Sequence, residues 1–346
     1  MKATNINDYI LSGEYIMATI KDVASKAGVS ICTVSRALAG KDLIKPETRE
    51  AILQAAKELN YKPNYVARSL KKGKTNTFGL ILPDITNPYY PKLAKYIESS
   101  TAKRGYMVLL CNSDNQVKKE KQFVEMLKAR NVDGVLVAPV SGEIKHIQKL
   151  QEWGIPYVIL NRNYPEELCS VSSDNYYGAF TMTEYLIGKG HRRIGGLFQS
   201  FHISIYEERY HGMCDALKEH GIPVDEQLMV TDINDISCGY QKIQALLRME
   251  DRLTAIFSSN DMLAINVYRA AYELGIKIPE KLSVTGYDDI PLAMMLNPPL
   301  TTYLQPEDAM SESAVEYLIS MIEGGQPYSH EQLRGYLVER KSAAEV

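Results

Sequence analysis

The sequence lacks the features of membrane-spanning, disulfide-rich and zinc-binding proteins. No run of 18 apolar residues occurs, so we predict no membrane span and no membrane partner. The cysteines are five, an odd number, and none forms a C-x-x-C pair: Cys32, Cys111, Cys169, Cys214 and Cys238. This scatter argues against a disulfide framework or a zinc site and favours reduced thiols in a cytoplasmic protein.

Patterns typical of enzymes are also missing. No G-x-G-x-x-G or G-x-x-x-x-G-K-[ST] follows a predicted strand, which weakens a nucleotide-cofactor enzyme. The six histidines show no H-E-x-x-H spacing, and no serine lies in a G-x-S-x-G elbow. We therefore predict that the chain is not an enzyme and has no catalytic residues, cofactor or metal.

The net charge of −3 conceals an asymmetry. Residues 17–76 contain twelve Lys and Arg against five Asp and Glu, a net charge of +7, and residues 77–346 carry −9. A small basic module on a large acidic body predicts different partners for the two parts, with an anionic partner for the basic one.

The first sixteen residues have neither helical periodicity nor the pattern of a secretory signal. Gly13-Glu14 can be encoded as a purine-rich ribosome-binding sequence two codons before Met17. We expect residues 1–16 to be a mis-annotated or disordered leader and Met17 to be the natural start.

Residues 17–62 contain three predicted helices. Apolar residues recur at helical spacing from Ile20, Ser30 is a candidate cap for the second helix, and Pro46 begins the third. Two short helices joined by a tight turn, followed by a third, are typical of a helix-turn-helix domain. A protein-interaction bundle is the alternative, but the basic charge favours DNA.

Residues 63–76 form a predicted hinge helix and linker. Val66, Ala67 and Leu70 give one apolar stripe over about two turns, too short for a helix that is stable alone in water. The segment is expected to become ordered only when it is paired or bound, and a plain basic linker remains the alternative.

From Thr77 the pattern changes to an α/β alternation. Continuous apolar runs, among them FGLILP, GVLVAP, YVILN and LSVTGY, are mostly followed by amphipathic helical stretches. This alternation predicts parallel sheets covered on both faces, arranged as two doubly wound subdomains with a ligand at the carboxyl ends of the strands.

TIKDVASKAGVSICTVSRALAG in the basic module and GLILPDITNPYY and SVTGYDD in the acidic body resemble motifs of the lactose/galactose-repressor family of bacterial transcription regulators. TIKDVASKAGVSICTVSRALAG is similar to the DNA-binding headpiece, and GLILPDITNPYY, SSDNYYGAF, YLIGKGHRRIG and SVTGYDD are similar to the body. The resemblance extends from about Thr19 to Ser342, with numerous motifs in the same order.

The resemblance implies a helix-turn-helix headpiece and hinge followed by a body like a two-subdomain periplasmic sugar-binding protein. Subdomain one is expected at about 77–175 and 307–334, and subdomain two at about 176–306 and 335–346. The subdomain sides are expected to form the interface between protomers. No leucine heptad of the kind that makes the lactose repressor a tetramer follows Arg340, so we expect a homodimer.

The resemblance also implies the residues that read double-stranded operator DNA. Ile31 and Cys32 occupy the base-reading positions, and Arg36 would read a guanine through its planar guanidinium. A solvated charge at Arg36 and a tolerated surface cysteine at Cys32 are the alternatives. Phosphate contacts are predicted for Ser30, Thr33, Ser35 and Asn64, and Arg68 completes the predicted DNA-binding set.

Leu70 matches the hinge leucine that the family wedges into the minor groove. Two such leucines, one per protomer, would unstack the central step and bend the operator. Packing between two hinge helices is the alternative role, and both roles are compatible.

The resemblance places a small carbohydrate-like effector in the cleft of the body. The predicted contacts are Asn87, Tyr89, Tyr90, Asn161, Arg162, Arg209, Asn260 and Asp288. Tyr89 and Tyr90 are expected to stack on a sugar ring. A cleft-spanning structural ion pair is the alternative for Arg209 and Asp288.

Asn161 and Glu307 depart from the lactose repressor, which has an aspartate and an aromatic residue there. A lactose-like effector is therefore disfavoured, and Glu307 weakly favours a cationic ligand.

We thus predict a cytoplasmic repressor whose operator affinity is controlled by a small molecule. The alternative within the family is a catabolite-control regulator whose main co-effector is a phosphorylated phosphocarrier protein bound to the body.

Overall fold

The computed structural model describes residues 18–38, 44–62, 73–164, 168–233, 236–249, 253–326 and 330–346. It divides into two compact units, Met1–Thr75 and Asn76–Val346, which we describe separately. The predicted leader and the predicted hinge contacts Asn64, Arg68 and Leu70 lie outside the described residues.

The described part of the first unit contains three helices: α1 (Ile20–Lys26), α2 (Ile31–Leu38) and α3 (Pro46–Glu58). Thr19 and Asp22 form a capping box at the start of α1, since the Thr19 amide and hydroxyl both donate to Asp22 Oδ2 at 2.7 Å. Ser30 caps α2 as predicted, because its Oγ accepts the Thr33 amide at 3.2 Å.

One small apolar core joins these helices. It consists of Val23, Ala24, Val34, Ala37, Ile52, Ala55 and Ala56. These residues recur at helical spacing in the sequence, so each helix turns one apolar face inward. The predicted helix-turn-helix region is confirmed.

The second unit contains twelve strands in its described part. They are β1 (Thr77–Leu82), β2 (Met107–Asn112), β3 (Gly134–Val137), β4 (Tyr157–Leu160), β5 (Ser170–Ser173), β6 (Ile194–Gln199), β7 (Met229–Ile233), β8 (Ala255–Ser258), β9 (Ser283–Tyr287), β10 (Thr301–Leu304), β11 (Glu331–Leu333) and β12 (Tyr336–Val338).

The helices of this unit alternate with the strands. They are α4 (Tyr89–Lys103), α5 (Val117–Ala129), α6 (Lys145–Glu152), α7 (Asn175–Gly188), α8 (Ser204–Glu219), α9 (Ile236–Leu247), α10 (Asp261–Glu273) and α11 (Glu307–Ile322). Two short 3-10 turns occupy Glu226–Leu228 and Ala293–Met295. None of the helices in the described part of the chain has the length and apolar character needed to cross a bilayer.

The strands form two six-stranded sheets, which we call sheet one (β11-β5-β4-β3-β1-β2) and sheet two (β12-β10-β9-β8-β6-β7). The strand pairs are parallel except for β10 and β12, which pair antiparallel. The predicted α/β class, with two parallel-sheet subdomains, is confirmed.

The chain passes between the sheets at three crossovers. The first, at residues 173–175, leads from β5 to α7, and the second, at residues 304–307, leads from β10 to α11. The third, at residues 333–336, joins β11 to β12. The crossovers place the carboxyl ends of both sets of parallel strands next to each other.

Close packing between α7 and α8 depends on glycine. A Cβ at Gly212 would overlap the backbone carbonyl oxygen of Tyr176, and a Cβ at Gly178 would overlap the Tyr287 hydroxyl. The missing side chain at Gly212 lets α8 approach α7 this closely, and the missing side chain at Gly178 leaves room for Tyr287 of β9 against α7.

Candidate functional site

The exposed face of α2 carries the residues predicted to read base edges. Val34 and Ala37 are buried, whereas Cys32, Ser35 and Arg36 are exposed and Ile31 is 43% exposed. Since α2 turns its core face inward, Ile31 and Cys32 present an apolar surface in the first turn and Arg36 lies one turn later. The structure thus leaves Ile31, Cys32 and Arg36 exposed on the outer face of α2.

The start of α2 is also suited to an anion. No acidic residue lies in its first turn, so the amide groups and the positive end of the helix dipole are not neutralised locally. Ser30 Oγ lies 2.9 Å from Thr33 Oγ1, which fixes both hydroxyls at this end.

In the body, the predicted effector-contacting residues follow the carboxyl ends of the strands. Those on the sheet-one side are Asn87, Tyr89 and Tyr90 after β1, with Asn161 and Arg162 after β4. Those on the sheet-two side are Arg209 on α8, Asn260 after β8 and Asp288 after β9. We call this region the cleft.

Arg209 is fully buried in the cleft wall. Its Nε donates to Asn175 Oδ1 at 2.9 Å, and its Nη1 donates to the Ser259 carbonyl oxygen at 2.5 Å. The guanidinium carbon lies 3.6 Å from the centre of the Tyr287 ring, in a cation–π contact. Arg209 is therefore held in one orientation by three neighbours.

Asp288 faces Arg209 without a hydrogen bond, since Arg209 Nη1 lies 3.7 Å from Asp288 Oδ1. Both residues stand on the sheet-two side, so their ion pair lies within one wall of the cleft and does not span it. Gln305 Nε2 donates to the same Oδ1 at 2.6 Å. Burial raises the pKa of Asp288 to about 6, although Arg209 and Gln305 lower it.

Asn161 and Arg162 are buried on the opposite side. Arg162 donates from Nη1 to the Asn161 carbonyl oxygen at 2.6 Å and from Nε to the Pro139 carbonyl oxygen at 3.0 Å. Among the described residues, Arg162 Nη2 and Asn161 Oδ1 are buried without a hydrogen-bond partner. One donor and one acceptor are thus held next to each other.

Two predicted contacts also have a local structural role. Asn260 Oδ1 accepts the Leu263 amide at 2.9 Å and caps α10, and Asn87 Oδ1 accepts the Tyr89 amide at 3.1 Å. Because these oxygens are engaged, the amide nitrogen is the group that each residue has for a ligand.

Tyr89 and Tyr90 pack into the core beside sheet one. Their rings meet edge to face with centroids 5.1 Å apart. Burial, with the nearby carboxylates of Glu307 and Asp288, raises the pKa of Tyr89 well above its usual value, so its hydroxyl stays protonated. Since Tyr89 is almost fully buried, its hydroxyl is a better candidate for a ligand contact than its ring face.

Glu307 already has a cationic partner. Lys92 Nζ lies 3.0 Å from Glu307 Oε1. Burial raises the pKa of Glu307 to about 7 even though Lys92 lowers it. A cationic ligand is therefore not needed to neutralise this carboxylate.

Several residues at the cleft were not among the predicted contacts. Asn175 and Gln305 stand on crossovers and hold Arg209 and Asp288, and Ser259 provides a carbonyl to Arg209. Tyr206 and Glu208 lie on α8, three residues and one residue before Arg209, and electrostatic interactions couple both to Arg162 on the opposite side. The string YEER, residues 206–209, ends at Arg209 and was the signal that could have indicated Tyr206 and Glu208.

Each cationic side chain at the cleft has a carboxyl group near it. Arg209 faces Asp288, Lys92 faces Glu307, and Arg162 lowers the pKa of Glu208, which burial raises to about 7. The described residues contain no group of His, Cys, Asp and Glu side chains arranged to hold a metal ion. Cations that already have carboxyl neighbours, together with buried donors and acceptors, suit a neutral ligand whose hydroxyls donate and accept.

Comparison with known proteins gives two family matches that together cover most of the chain. Residues 19–64 match bacterial regulatory proteins of the lacI family. Residues 75–341 match periplasmic binding proteins and the sugar binding domain of the LacI family.

Individual proteins agree with these matches. The ribose operon repressor of Halalkalibacterium halodurans is 37% identical over 307 residues, which are 89% of this chain and 91% of that protein. The lac repressor dimer bound to operator and the anti-inducer ONPF has a TM-score of 0.85 at 25% identity, covering 94% and 99% of the two chains. A LacI family regulator from Enterococcus faecium with bound ribose has a TM-score of 0.70 at 28% identity, covering 78% and 99%.

Proposed function

This chain belongs to the LacI family of bacterial transcriptional regulators, and we propose that its effector is an uncharged pentose such as D-ribose. The protein is a DNA-binding repressor regulated by a small molecule, not an enzyme. The observation that carries the effector proposal is a cleft whose cations Arg209 and Lys92 already have the carboxyl neighbours Asp288 and Glu307. Its buried unpartnered groups, Arg162 Nη2, Asn161 Oδ1 and Tyr89 Oη, provide both donors and acceptors.

A sugar phosphate fits this cleft less well than a neutral sugar. A phosphate brings nearly two negative charges, and Arg209 and Lys92 already face Asp288 and Glu307. A neutral sugar needs no such excess, because each hydroxyl donates one hydrogen bond and accepts others. The names of the Halalkalibacterium and Enterococcus proteins support ribose within this class.

The effector acts by linking the two sides of the cleft. A pentose that touches Arg209 on one side and Arg162 on the other favours one angle between the subdomains. Such a ligand changes operator affinity only by its difference in affinity for the two arrangements, about 1–3 kcal/mol in typical allosteric proteins. The changed angle would alter the spacing of the two hinge segments.

We propose that α2 enters the major groove of the operator. Arg36 reads a guanine through a bidentate contact, while Ile31 and Cys32 read shape and thymine methyl groups. The DNA phosphates are contacted by Ser30, Thr33, Ser35 and Asn64, and Arg68 also binds the operator. Leu70 enters the minor groove at the centre of the operator.

We further propose a homodimer formed along the sides of the subdomains. On the sheet-two side the exposed apolar residues Tyr272, Met294 and Met295 are 87%, 63% and 73% exposed, and on the sheet-one side Met107 is 70% exposed. Met294 and Met295 are neighbours in the turn Ala293–Met295 and form an exposed apolar pair, the kind of surface that another chain can cover. The dimeric lac repressor relative supports this arrangement.

Thermal-shift measurement of the full-length protein tests the effector proposal. At a concentration of D-ribose about 100 times its Kd, binding adds about 2.7 kcal/mol to the free energy of unfolding. The midpoint temperature of thermal unfolding should then rise by roughly 5–10 °C. Arg209→Ala should abolish the shift, whereas the control Arg269→Ala, which removes an exposed arginine on α10, should keep it.

Two other outcomes would contradict the proposal. A larger shift with ribose 5-phosphate than with D-ribose would show that the charge argument is wrong. If no sugar shifts the midpoint but a phosphorylated phosphocarrier protein increases operator affinity, the catabolite-control alternative is correct.

A further inference from the structure

Asn175 stands where the chain first crosses from sheet one to sheet two. It is the first residue of α7 and is completely buried. Its Nδ2 donates to the Ser173 carbonyl oxygen at 3.0 Å, which fixes the orientation of the amide. Its Oδ1 then points at Arg209 Nε and accepts its hydrogen at 2.9 Å.

Arg209 depends on this contact more than on the carboxylate beside it. Asp288 Oδ1 lies 3.7 Å from Arg209 Nη1, beyond hydrogen-bond distance. The Ser259 carbonyl holds only one end of the guanidinium, and the Tyr287 ring face permits the guanidinium to slide or rotate in its plane. The hydrogen bond to Asn175 holds the Nε end, so that it and the Ser259 contact together fix the rotation.

The crossover that carries Asn175 is tied to the third crossover. The Asp174 amide donates to the Leu333 carbonyl oxygen at 2.9 Å, and Arg334 Nε donates to Asp174 Oδ2 at 3.1 Å. The Arg334 guanidinium lies over the Tyr177 ring at 4.0 Å from its centre. A change in the angle between the subdomains must therefore move Asn175 or strain these contacts.

We infer that Asn175 is a positioning residue: it orients Arg209 for the effector and makes ribose affinity depend on the first crossover. The inference rests on the proposed pentose function of the cleft. It explains why a buried amide that needs no ligand contact of its own stands beside the guanidinium.

The test is calorimetric titration of the full-length protein and its variants with D-ribose. Asn175→Ala removes the acceptor, and we expect about tenfold weaker ribose binding, as for loss of one hydrogen bond to a charged group. Asn175→Ser keeps a small polar side chain beside the Asp174 cap but is too short to reach Arg209 Nε, so it should weaken binding similarly. The control is Thr183→Ala, which removes a buried hydrogen bond to the Ala179 carbonyl on the same helix, and should keep the wild-type Kd.

Hydrogen–deuterium exchange gives a second readout that a purely structural role would not move. In the wild type, saturating D-ribose should slow exchange in peptides covering residues 173–175 and 333–335. In Asn175→Ser saturated with D-ribose, exchange in these two peptides should be slowed less than in the wild type. The peptide that contains Ser259 should remain protected.

Two results would overturn the inference alone. One is a Kd for D-ribose within twofold of the wild-type value in both Asn175 variants. The other is a Thr183→Ala variant whose ribose affinity falls as much as that of the Asn175 variants. A wild-type protein that binds no D-ribose would instead refute the proposed function, and this inference with it.

Discussion

Replacing Glu307 with Gln should stabilise the protein at alkaline pH and leave it unchanged at acid pH. Glu307 begins α11 with only 2% of its side chain exposed. Burial raises its pKa from 4.5 to about 7. Each unit of pKa corresponds to about 1.4 kcal/mol, so the ionised carboxylate costs about 3 kcal/mol relative to the protonated one.

The pH window follows from the direction of the shift. Between about pH 4.5 and pH 7 the folded protein keeps a proton that the unfolded chain has lost, so wild-type stability falls as pH rises through this range. Gln resembles the protonated side chain and does not titrate. The variant should equal the wild type near pH 4.5 and exceed its free energy of unfolding by about 3 kcal/mol at pH 8. Lys92 loses its partner but is 24% exposed, so water can solvate its ammonium group.

Urea unfolding followed by the fluorescence of the single tryptophan, Trp153, measures this difference at a fixed protein concentration. Glu312→Gln is the matched control on the same helix. Arg104 and Ser100 hold the pKa of that exposed glutamate below its usual value, so this variant should lose a little stability at pH 8. A Glu307→Gln difference that stays constant from pH 4.5 to pH 8, or a variant less stable than wild type at pH 8, would refute the reasoning.

Three further predictions concern DNA reading, packing and assembly. Arg36→Ala should cost about 1–3 kcal/mol in operator binding and relax specificity at one position, whereas Cys32→Gln should shift operator preference and leave non-specific binding intact, both measured by fluorescence anisotropy with operator variants. Gly212→Ala should lower the free energy of unfolding by about 1–3 kcal/mol because its Cβ meets the α7 backbone, while Gly188→Ala, with open space around it, should be neutral or slightly stabilising. Met295→Glu should shift the protein towards monomers in analytical ultracentrifugation, and an unchanged dimer would place the interface elsewhere.

The order of helices and most strands could be predicted from the sequence because burial on both faces leaves a continuous apolar run. The runs at residues 78–83, 134–139 and 282–287 correspond to the buried strands β1, β3 and β9. The sequences of β5 and β7, SVSS and MVTDI, carry too few apolar side chains to be distinguished from a loop. Their positions follow from neighbouring strands that supply the hydrogen bonds.

The cleft was predictable only in part. Arg209, Asn260 and Asp288 were identified through motifs that resemble a known family, and the structure places them on one wall. That resemblance did not indicate that Lys92 already pairs with Glu307, because residues 215 positions apart come together only through the second crossover. The tertiary structure also argues against stacking of the Tyr89 ring on a sugar, because core packing against sheet one buries that ring.

The sequence alone determined the local features of this protein: the face of α2 that exposes Ile31, Cys32 and Arg36, the capped helix starts and the buried strands. Spacings of two to four residues decide these, so they can be read along the chain. Only the tertiary structure decided which polar groups meet in the cleft. Asn175 meets Arg209, and Gln305 meets Asp288, because the crossovers bring distant strand ends together, and no local spacing records that approach.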